Sequence, residues 1–221
     1  LFAAHEERYS RIKHDNRFPV RALKECISCL GKFVDIKTIS YYEKADLKEA
    51  RKLDLIYQNY STDPSLLNDI LSRHVCNSID NKDPYVERTI RNHIGNAAGA
   101  RNALNSQYCS FSHHDSHAAG AFYASPFEDA CVVTMDGVGE YETLTISSFS
   151  RKSSFSQKLF SKCLPISLGL YYSAITSYLG FKINEGEYKV MGLSGYGKPT
   201  FYEKLKKVFW FDGGQFTWDE G

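Results

Sequence analysis

Three histidines and an aspartate fall within five consecutive positions of FSHHDSHAAG: His113, His114, Asp115 and His117, in a chain with seven histidines in all. Imidazoles four residues apart on a helix lie on one face, with Cβ atoms about 5–6 Å apart. Two histidines on a helix can share a metal ion in this way. A helix that already includes His113 pairs it with His117. A helix that begins nearer Ser116 leaves His113 at the end of the preceding strand, where it can still converge with His117. His114, three residues before His117, competes for the same role. Asp115 could orient a histidine ring from behind or cap the helix. The plain alternative is a polar strand-to-helix turn with Asp115 or Ser116 as cap.

Two imidazoles alone hold a metal weakly, so a further ligand is expected from elsewhere. The stretch MDGVGE (135–140) offers Asp136 at the end of an apolar run, followed by Gly137, Gly139 and Glu140. Glycines there let backbone approach a phosphate closely. A carboxylate beside a phosphate is repulsive unless a cation lies between them, so Asp136 is expected to ligate a metal with the phosphate on its far side. The competing reading is a hairpin turn with a surface Asp-Gly.

Two further stretches could meet an anion. EGEYKVMGLSGYGKP contains Gly186, Gly192, Gly195 and Gly197 with Lys189 and Lys198. It matches neither a Walker loop nor the dinucleotide fingerprint, but suits a loop over an anionic ligand, with Lys189 supplying charge. EERYSRIKHD packs Arg8, Arg11, Lys13 and His14 into seven positions. Such a run is either a solvated face or a clamp for phosphate or carboxylate.

The elements that must position these groups follow from periodicity. Residues 1–4 read as the end of a strand. A helix begins near Pro19 and stops at Gly31, and Leu23, Cys26, Ile27 and Leu30 form its core face, so Cys26 and Cys29 read as packing thiols. VDIKTISYYE (34–43) alternates as a strand. Residues 46–60, 64–75 and 84–94 read as helices, a polar block resembling an insertion. QYCSFS (107–112) is a short strand and SHAAGAFYA (116–124) a close-packed helix. DACVVTMDG (129–137) reads as a buried strand, and 141–150 and 154–162 continue it as a meander. Ser167 opens a helix that Gly180 closes. A helix at 199–209 and a strand near 215–218 end the chain. Antiparallel strands begin afresh after Pro126, which places a boundary there and fits two stacked α/β units sharing a cleft.

Composition limits the function classes. The 221 residues carry 27 basic and 26 acidic side chains, a net charge of +1, so no global field draws the chain to nucleic acid or lipid. No apolar run approaches the roughly 18 residues of a membrane span. Six scattered cysteines and a start that lacks a signal-peptide pattern predict reduced thiols in a cytoplasmic protein. The chain also reads as beginning inside an element, so a fragment is expected.

EERYSRIKHDNRFP, HHDSHAAGAFYASPF, DGVGE and SLGLYYSAITSYLGFKINEGEYKVMGLSGYGKP resemble, in this order, the N-terminal domain of NodU/CmcH-type carbamoyltransferases. The resemblance implies an α/β, actin/Hsp70-like (ASKHA, ribonuclease-H-like) nucleotide-binding fold of Kae1-like type. Residues 1–126 would be a first lobe lacking its first strand, with a helical insertion at about 46–100, and 127–221 the start of a second lobe. It implies an O-carbamoyltransferase that uses carbamoyl phosphate and ATP, through a carbamoyl-adenylate made by a C-terminal YrdC-like domain, to modify a hydroxyl of a sugar, antibiotic or other small acceptor. It implies a divalent metal, iron in many members, on His113 and His117 with Asp136. Gly137, Gly139, Glu140, Lys189 and Gly192 would lie on the nucleotide side. Lys13 falls in the basic motif near the active cleft, and His14 or His114 would be the general base. The rival readings are an ATP-dependent kinase or threonylcarbamoyl-type transferase on the same fold, and a metal- or nucleotide-binding module without catalysis. No nucleic-acid or membrane partner is expected.

Overall fold

The computed structural model describes residues 3–15, 17–30, 36–60, 85–98, 105–153, 156–212 and 215–218. The expected helix at 64–75, Gly31 and Cys76 lie outside them. The chain is mixed α/β and divides into two compact units, Leu1–His113 and His114–Gly221. The boundary expected at Pro126 lies after the histidine helix, whereas the two units divide at the start of that helix.

In the first unit, residues 3–5 have no regular structure where the end of a strand was expected. A single helical turn, α1 (Glu7–Ser10), leads to α2 (Val20–Leu30). Glu6 fixes this corner. Its carboxylate accepts the Arg21 and Ala22 amides at 3.0 and 2.9 Å, satisfying donors that the first turn of a helix leaves unpaired. Ala22 is buried and Leu23, Cys26 and Ile27 are half-buried, but Cys29 and Leu30 are exposed. The inward stripe of α2 is thus narrower than its apolar spacing suggests.

Strand β1 (Thr38–Tyr41) alternates as its sequence requires, with Ile39 inward. It pairs in parallel with β2 (Gln107–Ser110), Thr38 opposite Gln107 and Tyr41 opposite Ser110. Parallel neighbours need a crossover, and the polar block supplies it with α3 (Ala45–Tyr60) and α4 (Tyr85–Ala98). Ile39 and Ile94 form the small core, with Leu23, Ile36, Ile90 and Tyr108 against them. Arg91 ties α4 to the entry of β2 by donating to the Ser106 carbonyl at 2.9 Å.

The second unit is built on an antiparallel meander: β3 (Asp129–Met135), β4 (Glu142–Ser150) and β5 (Ser156–Cys163), in that order. Helix α5 (His113–Ala124) lies on one face, where Ala118 and Phe122 pack against Val132 and Phe149. Burial along β3 alternates rather than running continuously, because only one face is covered. Arg151 closes the end of α5. It donates to the Ser125 and Phe127 carbonyls at 2.8 and 2.9 Å and lies over the Phe122 ring at 5.3 Å, a cation where the helix dipole is negative. Asp115 and Ser116 lie inside α5, since the helix starts at His113, so neither is its cap; Asp115 reaches Lys158 at 3.4 Å.

Ser167 opens α6 (Leu168–Tyr178) as expected, accepting the Leu170 amide at 3.0 Å, and Gly180 follows its end at φ +82°. The glycine-rich segment corrects the expectation of a loop, for it forms α7 (Glu187–Ser194). Gly186 precedes that helix where a Cβ would lie 2.6 Å from the Phe181 Cβ. Gly192 sits in the helix with nothing within 4 Å of such a Cβ, so it is tolerated there without a steric need. Helix α8 (Tyr202–Val208) and a hairpin of β6 (Phe209–Asp212) and β7 (Gln215–Trp218) follow. Among the described residues, no helix is long and apolar enough to cross a membrane.

Glu187 nucleates α7. Its carboxylate accepts the Asn184 amide at 2.9 Å, the Gly186 amide at 3.2 Å and the Ser173 hydroxyl of α6 at 2.9 Å. The Asn184 bond foremost, with other backbone amides and Ser173, favours the ionised form and lowers the pKa below the usual glutamate value. The contribution to stability is therefore complete above the unfolded pKa of about 4.3 and is lost as the pH falls through the lowered folded value. Glu187→Gln should melt below the parent at neutral pH, and the gap should close on acidification below about pH 4. Melting curves across that range, followed by circular dichroism, test this; a gap that never narrows refutes it.

Candidate metal centre

Helix α5 presents two faces with different chemistry. His113 and His117 lie one turn apart on one of them, and His114, Ala118 and Phe122 lie along the other, against the sheet. The turn from β3 to β4 brings Asp136 to the first face. One ligand atom from each of His113, His117 and Asp136 lies within 4.8 Å of the others. His117 is exposed (57%) and the Asp136 carboxylate partly so (24%), with His117 Nε2 at 3.7 Å from Asp136 Oδ2. Two imidazoles and a carboxylate form a nitrogen–oxygen donor set suited to divalent first-row metals such as zinc or iron. The residues present fit a single cation, and the partial exposure leaves it reachable.

Asp136 is positioned by backbone more than by its own side chain. Its amide donates to the Thr143 carbonyl at 3.2 Å, and the Gly139 amide donates to the Glu142 carbonyl at 2.8 Å. The hairpin connection of the competing reading is formed, and it leaves the Asp136 carboxylate beside the histidines. The first turn of α6 presses on the same turn. Ser167 donates its hydroxyl to the Gly137 carbonyl at 2.6 Å while capping the helix. A Cβ on Gly169 would lie 2.3 Å from the Asp136 carbonyl oxygen and 2.6 Å from the Gly137 nitrogen. At Gly137 itself a Cβ would meet only the Leu170 side chain at 3.6 Å. The close approach thus depends on Gly169, a residue not singled out in sequence. Glu140 is buried within the same turn.

His114 has no exposed surface. Nε2 faces the Glu142 carbonyl at 2.9 Å and Asp136 Oδ1 at 3.2 Å, and Nδ1 lies 2.6 Å from the Thr134 hydroxyl. Burial is the largest influence on its pKa and acts downward. The hydrogen bond to Asp136 and the charge of that carboxylate, with Glu142, outweigh it and raise the pKa above the ordinary histidine value. The Glu142 carboxylate is itself held by Lys158, with both oxygens at 2.9 Å.

The remaining expected residues lie elsewhere. Lys13 and His14 are exposed on the connection from α1 to α2. His14 is left-handed at φ 55°, and its amide donates to Glu7 Oε1 at 2.7 Å. Lys189 and Gly192 are exposed on α7, with Lys189 over its neighbour Tyr188. Thr134, Thr145 and Gly169 escaped notice. Thr134 left one faint signal, a hydroxyl at an inward position of a strand whose other inward residues, Ala130 and Val132, are apolar; Thr145 left none, since Thr143 and Ser147 share its face.

A family model described as the carbamoyltransferase N-terminus matches residues 1–215. The chain belongs to this family. The chain is 30% identical over 216 residues to the nodulation protein NolNO of Sinorhizobium fredii, covering 95% of this chain and 28% of that protein. It is 38% identical over 98 residues to the nodulation protein NolO of Bradyrhizobium diazoefficiens, covering 44% of this chain and 17% of that one. An uncharacterized protein of Synechocystis, sll1178, is 33% identical over 206 residues, 92% of this chain and 32% of the relative. The chain thus spans about a third of the length of these curated relatives.

Two glycines separate close approach from general flexibility. Gly169→Ala should destabilise by about 1–3 kcal/mol, the usual range for forcing an atom into a filled site. Gly120→Ala, on the exposed side of α5 with nothing within 4 Å of the added Cβ, should stabilise by about 0.5–1 kcal/mol. Denaturant unfolding of both variants checks the opposite signs; a neutral Gly169→Ala would mean that the Asp136 turn is not held by α6.

Proposed function

We infer that this chain is the metal-holding N-terminal part of an O-carbamoyltransferase. Family membership supports the reaction class, and the convergence of His113, His117 and Asp136 is the observation that carries the reading. The fold is taken to be the actin/Hsp70-like, Kae1-like nucleotide-binding type, to which the mixed α/β architecture conforms. The donor would be carbamoyl phosphate, activated with ATP as a carbamoyl-adenylate in a YrdC-like domain of the full-length protein, and the acceptor a hydroxyl of a small molecule.

His113, His117 and Asp136 would hold a divalent cation, iron in keeping with the resemblance. When bound, that cation supplies Lewis-acid stabilisation of charge on a phosphoryl group. Asp136 lowers the net charge that the phosphoryl group meets and fixes its side of approach. Gly137, Gly139 and Glu140 shape the turn that carries it. Lys13 would contribute positive charge toward the anionic donor. Of the two imidazoles considered as general base, His14 is accessible and His114 is enclosed, so the proton of the acceptor hydroxyl is assigned to His14. Its left-handed backbone is a strained conformation of the kind found at functional sites. Lys189 and Gly192 would lie on the nucleotide side, as residues of a helix rather than a loop.

The test uses the full-length protein with labelled carbamoyl phosphate, ATP and a panel of hydroxylated acceptors. His113→Ala and His117→Ala should each reduce transfer ~100-fold or more, the scale of losing several kcal/mol of metal stabilisation. His14→Ala should lower the rate while metal content stays unchanged. Transfer at the parental rate in both metal-site variants would sink the reading. Product formed without carbamoyl phosphate would assign the chain to a kinase or a threonylcarbamoyl-type transferase instead.

A further inference from the structure

We propose that His114 is the positioning residue of this site: a buried imidazole, anchored by Thr134 and Thr145, that fixes the Asp136 carboxylate for the cation shared with His113 and His117. The inference rests on the metal reading above and adds a role for residues which that reading leaves idle.

The argument begins with cost. His114 stands one turn before Ala118 and two before Phe122 on the face of α5 that meets the sheet, where an apolar side chain would pack without difficulty. The structure instead places three polar side chains in a row. The Thr145 and Thr134 hydroxyls are 2.6 Å apart, and Thr134 is 2.6 Å from His114 Nδ1. All three residues are buried. Buried polar groups destabilise unless every one finds a partner, and even a satisfied network offers little stability over apolar packing. This row ends on a carboxylate.

Its polarity follows from the partners. Nε2 faces two acceptors, the Glu142 carbonyl at 2.9 Å and Asp136 Oδ1 at 3.2 Å. It therefore carries a proton in either charge state of the ring, donates it to the Glu142 carbonyl, and presents that N–H edge within ion-pair distance of Asp136 Oδ1. Thr134, backed by Thr145, engages Nδ1 and sets the ring's rotation. The Glu142 backbone carbonyl, at the start of β4, fixes the other side. Oδ1 is thereby turned toward His114 and Oδ2 toward His117. Partners of this kind, standing behind a ligand, set its orientation and basicity.

Cobalt(II) titration of the full chain, followed by visible absorption and calorimetry, tests the relay. Thr134→Val removes the hydroxyl at nearly constant shape and should weaken cobalt binding ~10-fold with an altered ligand-field spectrum, while Thr134→Ser should stay within ~2-fold of the parent. Parental affinity and spectrum in Thr134→Val, or equal weakening in Thr134→Ser, would overturn the proposal. Nitrogen-15 NMR of the metal-free parent protein gives a readout that needs neither cobalt nor a folded variant. His114 should be protonated at Nε2, and a ring protonated at Nδ1 alone overturns the relay whatever the metal does. Asp136→Asn should abolish cobalt binding. If it binds as the parent does, the metal reading itself falls, and the relay loses its purpose with it.

Discussion

A backbone-to-backbone approach governs this site. The first turn of α6 rests on the Asp136–Gly137 peptide so closely that position 169 has no room for a Cβ. The helix cap and the turn share one hydroxyl, since Ser167 accepts from Leu170 and donates to the Gly137 carbonyl. Moving α6 would move the carboxylate, and moving the carboxylate would undo its convergence with His113 and His117. The hairpin bonds from Asp136 and Gly139 to β4 hold the same turn from the other side. A short connection between two strands is thereby made rigid enough to present a charge.

Helix α5 then divides two tasks by angular position alone. Residues four apart share a face, so His113 and His117 form one row and His114, Ala118 and Phe122 the other. One residue's offset separates an accessible donor pair from an imidazole with no solvent contact. Packing of Phe122 on Val132 and Phe149, with Arg151 at the far end of the helix, fixes the rotation of α5 about its axis. The core of the second unit thus decides which histidines can reach a cation.

Family and geometry support different parts of the functional reading. Membership in the carbamoyltransferase N-terminal family bears on the chemical class. The donor set bears on where charge would be stabilised. Neither set of residues is contiguous: the histidines and the aspartate come from either side of a strand, about twenty residues apart. That spacing suits a site assembled on a sheet edge by one helix and one turn, with elements of regular geometry supporting both.

Much of this protein is legible in one dimension because the relevant forces are local. Alternation in TISY, the Ser167 cap, Gly180 after its helix and the i, i+4 histidine spacing all follow from backbone geometry within a few residues, and each reads correctly; DACVVTM reads as a strand, but its burial alternates because the sheet is covered on one face. The order of motifs also carried the family. Local reasoning failed where a distant partner decides. NEGEYKVMG looks like a loop by its glycines, yet Glu187 gathers the Asn184 and Gly186 amides and the Ser173 hydroxyl and starts a helix. Gly169 looks like any glycine in a helix until the Asp136 peptide lies against it. His114 looks like a third ligand or a base until the sheet covers it and Thr134 engages its ring. Residue types and spacing determined which groups could do chemistry; tertiary packing alone decided which face solvent and which are buried, because burial is set by neighbours remote in sequence.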